Sequence, residues 1–273
     1  MTAEAFAPAK INLTLHVTGQ RADGYHLLDS LVAFADIGDR LLLTPGADLS
    51  LEVTGTCSDG VPTDARNLAR RAAEALGWTG HIALDKVLPH GAGLGGGSAD
   101  AAAVLRALEA CGISVPEGLP VSLGADVPVC RLVRAARMQG IGERIAPVGL
   151  PALPALLVNP GAHVPTGSVF SALARRDNPG MPAQIPDFEA PPDCADWLKD
   201  QRNDLEVPAI GIAPVIDRAL ADLRRTSEVL IARMSGSGST CFALYPTMKA
   251  AHAAAYEIGA EHPDWWCYAT ELR

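Results

Sequence analysis

The sequence has few aromatic residues, little basic charge and no long apolar run. Its 22 lysines and arginines are outnumbered by 31 aspartates and glutamates, for a net charge of −9. Because the basic residues form no cluster, the electrostatic footprint of a nucleic-acid or anionic-membrane binder is missing. No apolar stretch approaches the roughly 20 residues that span a bilayer, and we expect no secretion signal, because the first residues lack a basic region followed by an apolar stretch. We expect a cytoplasmic protein with no nucleic-acid partner and no membrane.

Cysteine pairing and zinc binding are also disfavoured. The six cysteines form no C-x-x-C pair and no cluster with zinc-ligand spacing. They are predicted to be free, mostly buried thiols in a reducing compartment. The 273 residues fit two modest domains or one large one. An acidic chain of this kind can still bind polyphosphate, provided that backbone N–H groups, a helix terminus, a lysine or a metal ion supply the positive charge.

Hydrophobic periodicity predicts strands at the start and an alternating pattern at the end. Residues 9–17 alternate apolar and polar, which predicts a half-buried strand with Lys10 and Asn12 on its polar face. Proline and glycine are dense over residues 147–192, where we place a domain boundary and a long loop region. In the last third, predicted helices 213–226 and 247–261 alternate with predicted strands 229–234, 240–245 and 265–270, typical of an α+β sandwich.

A glycine-rich loop at residues 89–98 is the strongest functional signal. Its glycines leave backbone N–H groups open to phosphate oxygens, and the helix behind it, predicted to be capped by Ser98, directs its positive end there. The loop contains G-x-G-x-x-G, but the acidic residue of a dinucleotide site is absent about 20 positions later. No lysine follows the glycines as in a Walker loop. A flexible surface loop is the alternative.

Two further segments stay open from the residues alone. The second glycine turn, residues 234–240, fits a tight connection between two strands as well as a phosphate or substrate contact. Asp126 lies in an otherwise apolar segment before Pro128, where the backbone turns. A carboxylate there is either a helix cap or a catalytic base, and spacing alone favours the cap.

Three motifs together resemble the galactokinase, homoserine kinase, mevalonate kinase and phosphomevalonate kinase superfamily. They are residues 8–13, the glycine loop and residues 234–240. Further segments resemble the branch of that superfamily that phosphorylates an alcohol bearing a cytidine diphosphate group, in the non-mevalonate route to isoprenoids. These segments are residues 19–26, 123–128, 140–143, 165–170 and 203–206.

The resemblance implies a catalytic pair and an ATP site. Lys10 and Asp126 match the pair: Asp126 would accept the proton of the acceptor's tertiary 2-hydroxyl, and Lys10 would orient that hydroxyl and neutralise charge. Asn67 and Lys86 match positions near the adenine. The phosphates of ATP, with Mg²⁺, are expected at Pro89, Gly91, Gly93, Leu94, Gly95, Gly96, Gly97 and Ser98. Ser98 is expected next to Mg²⁺, while Asp100 is interpreted as a helix-dipole partner or a magnesium contact through water.

The resemblance also implies how the acceptor is bound. Tyr25 and Phe170 match two aromatic residues that sandwich the cytosine, and His26 matches a residue that hydrogen-bonds its edge. Read without the resemblance, Tyr25 and His26 are more typical of surface residues. Further substrate contacts are expected at Asn12, Ile141, Thr166, Ser237 and Gly238. The partner is therefore a small-molecule substrate with a cytidine diphosphate group, and the protein is expected to be a monomer or a weak homodimer.

The implied fold is α+β with two domains. Residues 1–147 would form an N-terminal ribosomal-protein-S5-like domain that binds ATP and carries the catalytic groups. Residues 148–273 would form a C-terminal ferredoxin-like α/β sandwich that binds the substrate, with the active site in the cleft between them. The alternatives are another kinase of the superfamily acting on homoserine or mevalonate, a dinucleotide-dependent oxidoreductase, and a non-catalytic sensor, which would be expected to lack Lys10 or Asp126.

Overall fold

The computed structural model describes residues 2–273, and the chain divides into two compact units. Unit 1 consists of the chain up to Lys10 with residues 37–90 and 95–133, and unit 2 of residues 11–36, 91–94 and 134–273. The predicted boundary between residues 147 and 148 stays a prediction. The contacts divide the chain differently because residues 136–140 pair with residues 28–32 inside unit 2.

Eleven strands and nine helices form in the described chain. The strands are β1 (Ala3–Asn12), β2 (His16–Gln20), β3 (His26–Pro45), β4 (Ser50–Thr54), β5 (Gly80–Asp85), β6 (Ala136–Gly140), β7 (Arg144–Pro147), β8 (Leu153–Asn159), β9 (Ile231–Met234), β10 (Cys241–Leu244) and β11 (Trp266–Leu272). The helices are α1 (Leu68–Ala75), α2 (Gly96–Ala110), α3 (Leu119–Leu123), α4 (Val127–Leu132), α5 (Thr166–Ser171), α6 (Pro191–Lys199), α7 (Glu206–Ile212), α8 (Val215–Arg225) and α9 (Met248–Glu261).

Unit 1 is built around α2. The end of β3 pairs antiparallel with β5, which pairs parallel with β4, while α1, α3 and α4 pack against α2. Alanines make up much of α2, and most of its residues are buried. Small side chains let its neighbours approach closely, so the beginning of this helix is fixed by packing on several sides.

Unit 2 contains the predicted ferredoxin-like sandwich. Its antiparallel sheet has the order β11, β8, β10, β9. Numbered along the chain, these are strands four, one, three and two, with α8 and α9 as the two crossover helices. Both helices contribute to a core that also takes side chains from β8, β9 and β10. The predicted strand–helix alternation of the last third is therefore confirmed.

Several local predictions were wrong in their bounds. The strand predicted over residues 9–17 is two strands, β1 and β2, and it is buried on both faces rather than one. The Pro/Gly-rich stretch, predicted as loop, contains β8, a central and fully buried strand. Helix α2 begins at Gly96 after Gly95 at φ +65°, so Ser98 lies within the first turn and is not its N-cap. Gly112, at φ +89°, follows its end in the left-handed conformation that favours glycine at this position.

The segment around residue 180 is held by a buried ion pair in unit 2. Arg137 on β6 donates two hydrogen bonds to Asp29 on β3, at 2.8 and 2.6 Å, and further ones to the carbonyls of Met181, Pro182 and Ala183. Asp29 also accepts from the Met181 amide. This part of the Pro/Gly-rich stretch therefore has a defined path without secondary structure.

All six cysteines are unpaired, as predicted, but only Cys130, Cys194 and Cys241 are buried. Within residues 2–273, the structure has no helix that combines the length and apolar character needed to cross a membrane.

Candidate active site

The central feature of unit 1 is an ion pair between Lys10 near the end of β1 and Asp126 just before α4. The Lys10 ammonium donates a hydrogen bond of 2.8 Å to the Asp126 carboxylate. The lysine side chain is almost fully buried, whereas about a third of the aspartate side chain is exposed. A buried cation thus supports a carboxylate whose other face is open to a ligand.

Asp126 is at the N-cap position of α4 but does not act as a cap. Its side chain makes no hydrogen bond to the amides of the first turn, although aspartate is among the preferred residues for that purpose. Of the two alternatives left open by the sequence, the geometry opposes the cap. The carboxylate is directed toward Lys10 instead.

Arg106 on α2 fixes the elements that carry this pair. Its guanidinium donates to the carbonyl of Cys130 on α4, at 2.8 Å, and to the carbonyl of Phe6 on β1, at 2.6 Å. Burial lowers the pKa of Arg106. Beside the pair, burial, with the nearby Asp126 charge, raises the pKa of the Cys130 thiol to about 12, so this cysteine stays a neutral thiol and is not a nucleophile.

The second half of the glycine loop meets the Lys10–Asp126 pair inside unit 1. A Cβ added to Gly95 would lie 3.3 Å from the Lys10 side chain. The Ser98 hydroxyl lies against Gly124 in the turn that leads to Asp126. The first amides of α2, which have no intrahelical partner, therefore begin next to Lys10 and Asp126. Helix amides of the kind that can bind an anion thus lie close to the Asp126 carboxylate.

Lys86 is buried at the base of this loop. Its ammonium donates to Asp39 on β3 and, at 2.8 Å, to Asp100 on α2, and all three side chains are nearly inaccessible to solvent. Burial acts to lower the pKa of Lys86, but the two carboxylates outweigh it and raise that pKa. The prediction that Asp100 interacts with the helix dipole was wrong, because the first turn of α2 holds no acidic residue.

Asn67 uses its side chain to cap α1. Its amide oxygen accepts from the amides of Ala69 and Arg70, at 2.9 and 3.5 Å, and its amide nitrogen donates to the carbonyl of Pro62. The side chain is buried in this role. Both polar groups of the Asn67 side chain are therefore bonded within unit 1. An adenine in this region would have to contact the neighbouring groups instead.

The first half of the glycine loop is held by the second glycine turn within unit 2. The Ser235 hydroxyl donates to the carbonyl of Gly93 at 3.0 Å and accepts from the amide of Asn12 at 3.0 Å. The Thr240 amide donates to the carbonyl of Ala92 at 3.1 Å. Gly93, at φ +74°, approaches so closely that a Cβ there would lie 2.5 Å from the Ser235 carbonyl oxygen. The two glycine segments are thus in direct contact.

Asn12 is buried and has one unused polar atom. Its amide nitrogen donates to the Ser30 hydroxyl at 2.8 Å, while its amide oxygen has no hydrogen-bond partner among the described residues. The oxygen lies next to Gly236, whose added Cβ would be 3.2 Å away. A buried acceptor without a partner is costly, which fits a group that meets a ligand.

Aromatic and hydroxyl side chains of the predicted base site also come together in unit 2. His26 on β3 stacks on Phe170 of α5, with ring centroids 4.7 Å apart and an interplanar angle of 26°. Thr166, at the start of the same helix, shares a hydrogen bond of 2.9 Å with Ser237. Tyr25 is 59% exposed. One face of Phe170 is therefore covered by His26, and the exposed Tyr25 ring takes no part in this stack.

His26 has the protonation expected of a base-reading residue. Burial, with a smaller effect from Arg176, lowers its pKa, so the ring is neutral at pH 7. Its Nε2 atom is buried and unpartnered within the described chain. A neutral imidazole offers one donor and one acceptor, and the unpartnered nitrogen is free for a nucleobase edge.

The remaining predicted site residues lie at turns around these groups. Ile141 follows β6, with its amide donating to Glu143 at 2.6 Å. Leu94 is a fully buried residue of the glycine loop. Gly238, at φ +84°, packs against Met234, and Pro89 is partly buried before the first loop glycine.

Sequence reasoning missed Asp39 and Ser30. Asp39 had a usable signal, because it shares the buried face of β3 with Ile37 and Leu41. A carboxylate at a core-facing position of an alternating strand requires a partner. Ser30 carries no such signal, since a buried serine looks in the sequence like any other small residue.

Comparison with known families gives two matches. The model described as GHMP kinases N terminal domain matches residues 65–131, and the model described as GHMP kinases C terminal matches residues 185–264. Together they span more than half of the chain. The first contains the whole glycine loop together with Asp126, and the second contains the second glycine turn.

Individual proteins agree with these families. A 4-diphosphocytidyl-2-C-methyl-D-erythritol kinase of Dinoroseobacter shibae is 58% identical over 271 residues, covering 98% of this chain and 94% of the relative. The crystal structure of a 4-(cytidine 5'-diphospho)-2C-methyl-D-erythritol kinase superposes with a TM-score of 0.79 at 37% identity, covering 98% of both chains. A homoserine kinase from Cytophaga hutchinsonii, at 18% identity and a TM-score of 0.65 over 98% of this chain and 94% of the other, shares the fold.

Proposed function

This chain belongs to the GHMP kinases, and from that premise we propose its substrate and the residues that act on it. As a member of that family it is an ATP-dependent kinase. Its substrate is 4-diphosphocytidyl-2-C-methyl-D-erythritol, and the products are the 2-phosphate of that compound and ADP. The reaction transfers the γ-phosphoryl group of ATP to the tertiary 2-hydroxyl of the substrate.

The observation that carries this proposal is the pairing of Lys10 with Asp126. The Asp126 carboxylate does not cap α4, although it is at the N-cap position, and it pairs with the buried Lys10 instead. This arrangement suits proton transfer and charge neutralisation. Asp126 accepts the proton of the acceptor hydroxyl as the oxygen attacks the γ-phosphorus. Lys10 orients that hydroxyl and offsets the negative charge that develops on the transferred phosphoryl group.

ATP is held through its phosphates by the glycine loop. The open amides at Gly95, Gly96 and Gly97, with the N-terminus of α2, supply the positive potential that a Walker lysine supplies in other kinases. Gly91, Gly93 and Leu94 complete the loop. Positioning of the γ-phosphoryl group beside the hydroxyl accounts for most of the rate in phosphoryl transfer.

Magnesium is proposed to arrive with the nucleotide. Mg²⁺ prefers oxygen ligands and retains waters, so that nucleotide phosphates with one or two protein oxygens suffice. The Ser98 hydroxyl fits such a role, whereas the Asp100 carboxylate is buried and one of its oxygens accepts from Lys86. When bound, the ion neutralises charge on the β- and γ-phosphates.

The cytidine group is proposed to bind at Phe170, His26 and Tyr25. Phe170 offers a flat face for stacking, worth roughly 1–3 kcal/mol per base in related sites. His26 offers its unpartnered Nε2 to the base edge. Tyr25 closes over the other side of the base. Asn12, Ile141, Thr166, Ser237 and Gly238 contact the remainder of the substrate.

A cytoplasmic location, action in the non-mevalonate route to isoprenoid precursors and a monomeric or weakly dimeric state complete the proposal. The location rests on the sequence patterns, and the pathway rests on the names of the relatives. Gel filtration at micromolar concentration tests the oligomeric state.

The test of the substrate is a product assay. The purified protein, ATP and Mg²⁺ are incubated in parallel with 4-diphosphocytidyl-2-C-methyl-D-erythritol, homoserine and mevalonate, and phosphorylated products are identified by mass spectrometry. We expect turnover only with the cytidyl compound. Turnover of homoserine or mevalonate in its absence would reject the proposal in favour of another kinase of the family.

The alternative substrates are disfavoured by the stacked aromatic site. Homoserine and mevalonate have no ring that could use the face of Phe170. The structural neighbour that phosphorylates homoserine is related to this chain at 18% identity, which supports a shared fold and no more.

A further inference from the structure

The cluster formed by Asp39, Lys86 and Asp100 has no role in the chemistry described above. It lies entirely within unit 1, where each of its three residues is at most 2% exposed. Burying three ionised groups is expensive unless each is well paired. Lys86 and Asp100 lie at the two ends of the glycine loop, which indicates that the cluster acts on the loop.

Lys86 precedes the loop and Asp100 follows it. Lys86 comes directly after β5, and Asp100 lies on α2 beyond the loop, so their hydrogen bond of 2.8 Å ties the two ends of the loop together. Loop-end restraints of this type remove the freedom of the segment between them. The bond therefore closes the base of residues 87–99.

Asp39 extends the same restraint to the backbone. Its second carboxylate oxygen accepts from the amides of Val87 and Leu88, at 2.8 and 3.0 Å, in the segment that enters the loop. Its first oxygen accepts from Lys86. One strand residue therefore fixes the direction in which the chain leaves β5.

The cluster also lies directly beneath the phosphate-binding end of the loop. A Cβ added to Gly96 would be 3.4 Å from the Lys86 ammonium and 3.8 Å from an Asp39 oxygen. The ammonium is thus next to the first residue of α2, on the buried side of the amides that are proposed to meet phosphate. With both its carboxylate partners, Lys86 has no free path to an adenine ring.

We propose that Asp39, Lys86 and Asp100 are positioning residues that hold the glycine loop in its phosphate-binding conformation, and that Lys86 does not contact the nucleotide. The proposal replaces the expectation that Lys86 lies at the adenine. It rests on the proposed function, because it takes the loop to be the ATP phosphate site. Asp100 keeps one buried oxygen without a partner among the described residues, and burial, opposed by Lys86 and reinforced by Asp39, raises its pKa to about 7.

The test compares binding of MgADP with binding of adenosine by calorimetry, with no alcohol substrate present. The variants are Lys86→Met, Asp100→Asn and the double variant, and Lys199→Met is the control because it breaks an exposed Lys–Asp pair on α6. For Lys86→Met we expect the Kd for MgADP to rise at least about tenfold and the Kd for adenosine to change less than about twofold. The control should match the wild type.

The double variant separates positioning from simple loss of a residue. Lys86→Met leaves two carboxylates facing each other, and Asp100→Asn removes one of those charges, so the double variant should recover part of the MgADP affinity. Equal losses for MgADP and adenosine would overturn the proposal and return Lys86 to the adenine. Unchanged MgADP binding in all folded variants would also overturn it.

Folding is checked by thermal unfolding before any binding measurement. If Lys86→Met does not fold, Asp100→Asn and the double variant decide by the same comparison of MgADP with adenosine. Failure of the proposed function is distinguishable, because it would leave the wild type unable to bind MgADP or unable to phosphorylate the cytidyl compound. Both of these results concern the wild type, so they are obtained without substitutions at the three positioning residues.

Discussion

Lys10 and Asp126 are 116 residues apart in the sequence and 2.8 Å apart in the fold. Arg106 makes this distance possible, because it holds the carbonyls of Phe6 and Cys130 in the two elements that carry the pair. Burying the lysine charge costs free energy, which such a partner offsets. The pair is accordingly the part of the site where a single substitution should act most directly on the chemistry.

Asp126→Asn should lower turnover about 10²–10⁴-fold, the range typical of losing a general base. The asparagine still accepts from Lys10, so the KM for ATP should change little. Steady-state kinetics with the cytidyl substrate measures both constants. Asp48→Asn, at an exposed loop position, serves as the control. Near-normal turnover of Asp126→Asn would remove this residue from the role of base.

Phe170→Ala should raise the KM for the cytidyl substrate far more than the KM for ATP. The alanine removes the ring on which His26 stacks, and with it the stacking face for the base. Tyr256→Ala is the matched control, since that aromatic ring is 83% exposed. Equal effects on both substrates would show that Phe170 supports the fold and does not read the base.

Ser235→Ala should both destabilise the protein and weaken ATP binding. The hydroxyl joins the Asn12 amide to the Gly93 carbonyl, and leaving these buried groups unpaired costs about 1–3 kcal/mol. Because Gly93 lies in the phosphate loop, the KM for ATP should rise as well. Urea unfolding and kinetics measure the two effects, with the exposed Ser58→Ala as control. A stability loss with an unaltered KM for ATP would limit Ser235 to a structural role.

Stability should depend on pH through Asp100. Its pKa is raised to about 7 in the folded protein, first by burial, against about 4 in the unfolded chain. The folded state therefore binds the extra proton between these values, and stability falls as pH rises from about 4 through 7. Relative to Asp100→Asn, the wild type should lose stability over that interval, by up to about 1.4 kcal/mol per unit of pKa shift. If the free energy of unfolding, measured with urea, changed with pH equally in the two proteins across this range, the assignment would be contradicted.

The alternating last third of the chain was predictable because its helices and strands carry regular periodicity and local caps. Thr247, for example, accepts from the Ala250 amide with its side chain at the start of α9. The strand β8 was not predictable in the same way. It lies in a stretch rich in proline and glycine, and it is buried on both faces, so it shows no alternation. Short apolar runs of this kind do not distinguish strand from loop by pattern.

The candidate site was predicted unevenly for a related reason. The glycine loop was a local signal, because glycine spacing can be read directly. Lys10 and Asp126 were singled out by the resemblance, whereas spacing alone favoured a helix cap at Asp126. The position of Lys86 depends on Asp39 and Asp100, which come from β3 and α2. Such long-range pairings leave no mark in spacing, and only the folded chain shows that Lys86 is enclosed.

The unused cap at α4 has a consequence for how this protein can evolve. An aspartate at that position could contribute about 1 kcal/mol by capping the helix, but here the carboxylate faces Lys10. Selection for heat tolerance alone would favour replacing Lys10 and letting Asp126 turn back to the helix. Stabilised descendants of this chain that lose phosphoryl transfer should therefore carry changes at Lys10 more often than at the glycines. The orientation of the Asp126 carboxylate thus sets thermal stability against turnover.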